Sequence, residues 1–317
     1  MMPRSPAFIG ALCATIAAVF FSINDSAIKF LSDGYALHQV VLIRSCIGLF
    51  FVLVLIAPLT DGWSITRTRK LHLHLLRGMF VVTANMLFFL GLAAMPLAEA
   101  VAIFFISPLV ITVFSVIFLR EQVGPRRWAA IAVGLVGVLI IVRPGTDAFQ
   151  IASLLPMTAA ISYAALHVTT RKIGQSDSAA TMAFYIQIVF IVVCIGVGLA
   201  LGDGKFADQG DPSLAFLLRP WGWPEAADLP VFLLIGFGVA IGGYCISQAY
   251  RVAEAGYIAP FEYLAMPLAV LFGYLVFDEV PDGTTVIGAI LIVGSGLFTV
   301  WREGRVGQAA PTPKVRR

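Results

Sequence analysis

The sequence predicts an all-α membrane protein of ten transmembrane helices, arranged as two inverted five-helix repeats. Three observations predict it. Of 317 residues, 59% are hydrophobic and only 12% charged, and the mean hydropathy is +0.92. Charged residues make up about a quarter of an ordinary globular chain, so this much apolar surface cannot be hidden from water. Ten apolar stretches fill nearly the whole chain, each with about the 17–25 residues a helix needs to cross the hydrocarbon core. Finally, 108–143 can be laid over 267–302 with one constant shift, matching Pro108 to Pro267, Leu109 to Leu268, Phe118 to Phe277, Gly137 to Gly296 and Arg143 to Arg302. Five is odd, so the second copy must enter the membrane upside down. The repeats are 7–143 and 149–302, followed by a tail, 303–317, whose Gly, Pro and basic residues read as a cytoplasmic end.

The spans follow in order as 7–31, 38–58, 74–94, 97–119, 126–143, 149–171, 178–201, 229–250, 256–277 and 283–301. They do not alternate in polarity as the strands of a membrane barrel do, which leaves helices as the spanning element. Turns such as Ser32-Asp33-Gly34 and Pro281-Asp282-Gly283 separate them. With the amino terminus inside, sixteen of the 21 Lys and Arg residues fall on the cytoplasmic side, among them Arg67, Arg69, Lys70 and Arg77. That bias sets orientation and puts both termini in the cytoplasm. The longest loop, 202–228, is then external, and its 216–223 stretch, with Trp221 and Trp223, is expected in the headgroup layer.

Composition excludes other classes. No basic run interleaved with aromatics points to nucleic acid, and no cofactor motif is present. Cys13, Cys46, Cys194 and Cys245 share no close spacing and sit in apolar segments, where free cysteine behaves as a small hydrophobe. Glycine spacings at Gly134/Gly137 and Gly294/Gly296 read as close helix packing.

Charges inside the membrane are costly, so the few present point to a cavity or a partner. The first span carries Asn24, Asp25 and Lys29, and the last two, four apart, are spaced to pair on one helix face. Arg44 lies well inside the second span. Glu262 and Tyr263 stand between Pro260 and Pro267, and Pro108 is the repeat counterpart of Pro267. Proline removes a helix donor and clashes with the preceding turn. Opened helices at equivalent places in two halves mark the centre of a transporter. Asn85, Phe104, Tyr163, His167, Tyr244 and Gln248 form a second layer of candidates, and Arg251 with Glu254 a candidate gate at one end of the eighth span.

The chain resembles the drug/metabolite transporter superfamily, of the bacterial EamA type, over about 8–302. The resemblance rests on Asn24-Asp-Ser-Ala-Ile-Lys29, Arg44, Gln248-Ala-Tyr-Arg251 and Ala259-Pro-Phe-Glu-Tyr263, with the joints Leu119-Arg-Glu121 and Phe277-Asp-Glu279. It implies two EamA repeats in a bacterial inner membrane, a central cavity and transport of a small metabolite by a monomer or homodimer. The Ala-Tyr-Arg and Pro-Phe-Glu-Tyr elements look like branches that include riboflavin and S-adenosylmethionine carriers; amino acids are another cargo of the superfamily. On that reading Asn24, Lys29, Arg44, Asn85, Phe104, Tyr163, Tyr244, Gln248, Glu262 and Tyr263 contact the solute, and Glu262 is the candidate proton carrier. The rival is an intramembrane transferase, which needs Asp-rich metal-diphosphate motifs or a clustered His/Asp pair. Here Asp25 has no second acid nearby, and His38, His72, His74 and His167 are scattered.

Overall fold

A computed structural model describes residues 6–120, 124–144, 150–173, 176–207, 210–252, 258 and 261–308. Glu121, Glu254, Ala259 and Pro260 lie outside the described residues. Among the described residues the architecture is all-helical, and seven helices are long and apolar enough to cross a membrane. Three shorter apolar helices accompany them, Trp128–Val142, Ala265–Phe277 and Gly283–Ser295.

In chain order the helices are α1 (Pro6–Leu31), α2 (Leu37–Leu59), α3 (Leu71–Ala94), α4 (Leu97–Phe104) and α5 (Ser107–Leu119). Then come α6 (Pro125–Val142), α7 (Leu154–Ile173), α8 (Ala179–Leu201), α9 (Pro212–Leu218), α10 (Leu229–Val252), α11 (Ala265–Phe277) and α12 (Gly283–Gln308). The last helix therefore runs on past 302 into what the sequence reads as tail.

Proline sets the irregularities. The fourth apolar stretch breaks at Phe105 and Ile106, so that Pro108 falls at the second residue of α5. In the ninth stretch the break falls at Tyr263 and Leu264, and Pro267 is the third residue of α11. In a first helical turn the missing N–H costs nothing. Within α2, Pro58 follows a π-helical segment, Val52–Ile56. Its ring collides with the carbonyl four residues back, and the wider turn relieves that clash.

The helices pack as a single bundle. α1 lies on α10 and α11, α3 on α7 and α8, α2 on α8 and α10, α5 on α7, and α6 on α12. Small residues set the closest approaches. A Cβ on Gly137 would stand 2.8 Å from the Gly288 carbonyl, and one on Gly288 would stand 2.6 Å from the Gly137 carbonyl. Gly78 brings α3 onto Val189 of α8, where an added Cβ would meet Val189 Cγ2 at 2.5 Å. Gly134 likewise faces Leu109 closely, whereas Gly294 has open space around it and makes no such contact.

The long loop is fastened to the bundle. Asp211 caps α9 by accepting from the Leu214 amide at 3.0 Å, and Phe216 is buried against the core. Ser213 Oγ donates to the Leu90 carbonyl at 2.7 Å, and Arg219 donates to the Ser32 carbonyl at 2.6 Å. Trp221 leans on Gly198, leaving Trp223 as the outward indole of that stretch, 96% exposed. Its side chains donate to carbonyls of α3 and of the turn after α1, and the Gly222 backbone exchanges two hydrogen bonds with the Gln39 amide of α2.

Candidate functional site

A cavity with about 1310 Å³ of space between its walls, counting its mouth, lies at the centre of the bundle. Its walls come from α1, α2, α3, α4, α7, α8 and α10, and from Phe105, Glu262 and Ala265 beside the two helix breaks. Most of the wall is aromatic or aliphatic, with few polar groups, which suits a drug-sized organic solute.

The polar groups gather into two clusters. In the first, Arg44 is 2% exposed and donates to Asn24 Oδ1 at 3.2 Å, while its second terminal nitrogen reaches Asn85 Oδ1 at 3.5 Å. Asn24 Nδ2 in turn donates to Asp25 Oδ1 at 3.2 Å, so Asn24 links the acid to the guanidinium. Phe89 and Phe190 hold the guanidinium between their rings, 5.5 and 5.1 Å from its carbon. Burying this cation is tolerable because neutral dipoles, a nearby acid and two π faces replace its water.

In the second cluster, Glu262 accepts hydrogen bonds from the Tyr163 hydroxyl at 3.1 Å and from the Tyr250 hydroxyl. An aromatic run connects these groups. Phe88 packs on Phe104 at 5.1 Å between ring centroids, Phe104 on Tyr163 at 5.2 Å, Tyr163 on His167 at 4.4 Å and His167 on Tyr250 at 4.3 Å. Arg77 enters the cavity nearby, 4% exposed, donating to Thr170 Oγ1, the Met182 carbonyl and Ser247 Oγ. Gln187, opposite Gly48 where any Cβ would strike its amide, completes the polar lining.

Of the residues named from sequence, Asn24, Arg44, Asn85, Phe104, Tyr163 and Glu262 are brought together at this cavity. Tyr244 is half-buried in a separate apolar cluster with Val52 and Ile56. Gln248 falls on the same other side of α10, whose lining face is Val239, Gly243, Ile246, Ser247 and Tyr250. Tyr263 is buried beside the wall, its ring 5.2 Å from Phe105. Arg251 is half-buried, and its Nε has no partner among the described residues. Its proposed gate mate Glu254 lies outside them.

One expectation needs correction. Lys29 does not pair with Asp25. It forms an ion pair with Glu279 at 2.6 Å and donates to the Met95 carbonyl at 2.7 Å, away from the cavity wall. Glu279 and a helix-terminal carbonyl outcompete the local acid. Arg77, counted from sequence with the cytoplasmic charges, lies nearly two turns into α3, which begins at Leu71, and is buried. Sequence reasoning also passed over Tyr250 and Gln187. The signal available for Arg77 was periodicity, since Arg77, Val81, Ala84, Asn85 and Phe88 recur at helical spacing on one face.

The model of the EamA-like transporter family matches the chain twice, over residues 8–143 and 150–301. The chain belongs to that family. Its relatives in the family carry transport names. A riboflavin transporter from Vibrio cholerae is 34% identical over 298 residues, covering 92% of this chain and 93% of that one. A riboflavin transporter from Rhizobium johnstonii is 31% identical, covering 95% and 94%. An S-adenosylmethionine uptake transporter from Rickettsia prowazekii is 26% identical, covering 93% and 94%. A solved crystal structure with a TM-score of 0.63 and 16% identity, covering 95% of this chain and 97% of its own, shares the fold. This EamA-family chain is thus a multi-pass membrane transporter of small metabolites and not an enzyme.

Proposed function

We propose that this EamA-family protein is a secondary transporter in which two inverted five-helix halves enclose the cavity and rock to expose it alternately. Its cargo is riboflavin or a heteroaromatic metabolite of similar size. The observation that carries the reading is the cavity itself, a run of tilted and edge-to-face aromatic rings ended by Arg44 with its amides and by Glu262 with its two phenols. Flat aromatic walls recognise a flat ring system, and the polar clusters recognise its edge and its substituents.

Helix packing supports two equivalent halves, and the odd number of spans in each supports their inversion. Shifting each helix to its repeat counterpart turns the α1–α10 contact into α7–α3, α2–α10 into α8–α3, and α5–α7 into α11–α1, all of them present. The α2–α8 and α6–α12 contacts map onto themselves. Only a two-fold exchange of halves behaves this way. The two helix breaks, at Phe105 and Leu264, also correspond under the same shift. The basic bias of the loops supports cytoplasmic termini.

Fastenings at the two ends of the bundle support alternating access. At one end Lys29, Glu279 and the Leu97 amide join α1, α4 and the turn after α11. At the other, His74 and Thr68 hold Asp177, and Lys70 donates to the Ile173 carbonyl. Glu262, buried between two phenols, is the group placed to carry a proton if transport runs on a gradient. Riboflavin uptake into proteoliposomes, with and without a proton gradient, tests the reading. Saturable uptake of riboflavin supports it; transport of neither riboflavin nor S-adenosylmethionine, whose adenine is also a heteroaromatic ring, overturns the heteroaromatic cargo.

A further inference from the structure

Arg77 is built into the cavity in a way the rest of the site does not explain. Its Nε donates to Thr170 Oγ1 at 2.8 Å, one terminal nitrogen to the Met182 carbonyl at 3.2 Å, and the other to Ser247 Oγ at 3.2 Å. All three acceptors are neutral, and no carboxylate among the described residues forms an ion pair with it. Arg44 differs, being linked through Asn24 to Asp25. A buried cation without a counter-charge is a standing cost.

The cradle does not need the arginine. Thr170 Oγ1 already donates to the Leu166 carbonyl at 2.8 Å, and Ser247 Oγ to the Gly243 carbonyl at 2.7 Å. The Met182 carbonyl lies within α8, where the helix supplies its own donor. Removing Arg77 would leave none of them unsatisfied. The three contacts fix the guanidinium plane and leave one N–H on each terminal nitrogen unused. Donors on a planar cation can pair with acceptors on a planar edge.

We propose that Arg77 is a cargo-anchoring residue, which takes the carbonyl-bearing edge of the heteroaromatic ring while the ring lies along Phe104 and Tyr163. This rests on the transport reading above and specifies which end of the cargo meets which end of the cavity. The cargo supplies the missing counter-dipole, so the cost of burying Arg77 in the empty protein is recovered on binding.

The test uses the purified full chain, with riboflavin and lumiflavin as probes; lumiflavin keeps the ring edge and lacks the ribityl chain. Arg77→Met is compared with wild type for melting temperature without ligand and for affinity. The expected result is a melting temperature within about 2 °C of wild type or above it. Affinity should fall about tenfold or more, equally for both probes. Arg77→Lys, which keeps charge without the planar fork, should fall less. A clear drop in melting temperature makes Arg77 a structural strut and overturns the proposal. So does undiminished affinity, or a loss confined to riboflavin, which would put the ribityl chain at Arg77. Failure of wild type to bind either probe overturns the flavin cargo itself, a result separable from all of these.

Discussion

Lys29 Nζ and Glu279 Oε1 lie 2.6 Å apart, joining residues 250 positions distant in the chain. The pair has fixed polarity, because backbone groups complete it: Lys29 also donates to the Met95 carbonyl, and Glu279 Oε2 accepts from the Leu97 amide at 2.9 Å. The ammonium further lies 5.1 Å from the centre of the Phe277 ring. One latch therefore ties α1, the α3–α4 turn and the end of α11. A double-mutant cycle on Lys29→Met and Glu279→Gln should give a coupling of about 1–2 kcal/mol in stability. Exchanging the two charges should not restore it, since the carbonyl and the amide then face like partners. Rescue by the exchange would show that the ion pair acts alone.

Glu262 and its two phenols should behave as one unit. Tyr163→Phe and Tyr250→Phe each remove a donor to a buried carboxylate, a loss of about 1.5–3 kcal/mol where the acceptor is charged. Combining them should cost less than the sum, because both act through Glu262. Glu262→Gln should abolish stimulation of uptake by a proton gradient while leaving exchange of cargo for cargo. Gradient-driven uptake at the normal rate in Glu262→Gln removes the proton role.

At the opposite end of the bundle, burial pushes the Asp177 carboxyl upward, but hydrogen bonds from His74 and Thr68 outweigh it and hold the group below its usual 3.8. A depressed carboxyl stabilises the fold above its unfolded value, and that contribution is lost as pH falls through the folded one. Wild type should therefore lose stability below about pH 4. Asp177→Asn should flatten this part of the profile and lower stability at neutral pH. An acid limb unchanged in Asp177→Asn would place its origin elsewhere.

The α6–α12 contact should tolerate no side-chain growth. Alanine at Gly137 or Gly288 brings a methyl within 3 Å of the partner backbone, which cannot yield as a flexible side chain would. Each substitution should destabilise by about 1–3 kcal/mol. Gly294→Ala, with open space around the position, should be close to neutral. Thermal unfolding of the three variants in detergent checks the contrast.

The positions of the apolar helices were legible because length and hydropathy decide them without tertiary detail. So were the breaks near Pro108 and Pro267, since proline acts on its own turn. Asn24, Arg44 and Glu262 stood out because a polar group in an apolar run is conspicuous. Arg77 was hidden by the basic 67–77 stretch, in which a buried cation looks like its exposed neighbours. Tyr244 and Gln248 share one face of α10, but spacing alone does not tell which face lines a cavity; the wall residues of α10 fall on the other side. Lys29 was unreadable locally, as its partner lies 250 residues away.

Alternating access is tested most directly by closing the Lys29 latch covalently. Cysteines at 29 and 279, joined by a reducible bifunctional thiol reagent in proteoliposomes, should stop riboflavin counterflow, and reduction should restore it. Counterflow at the full rate with the bridge in place would contradict two halves rocking about a central cavity.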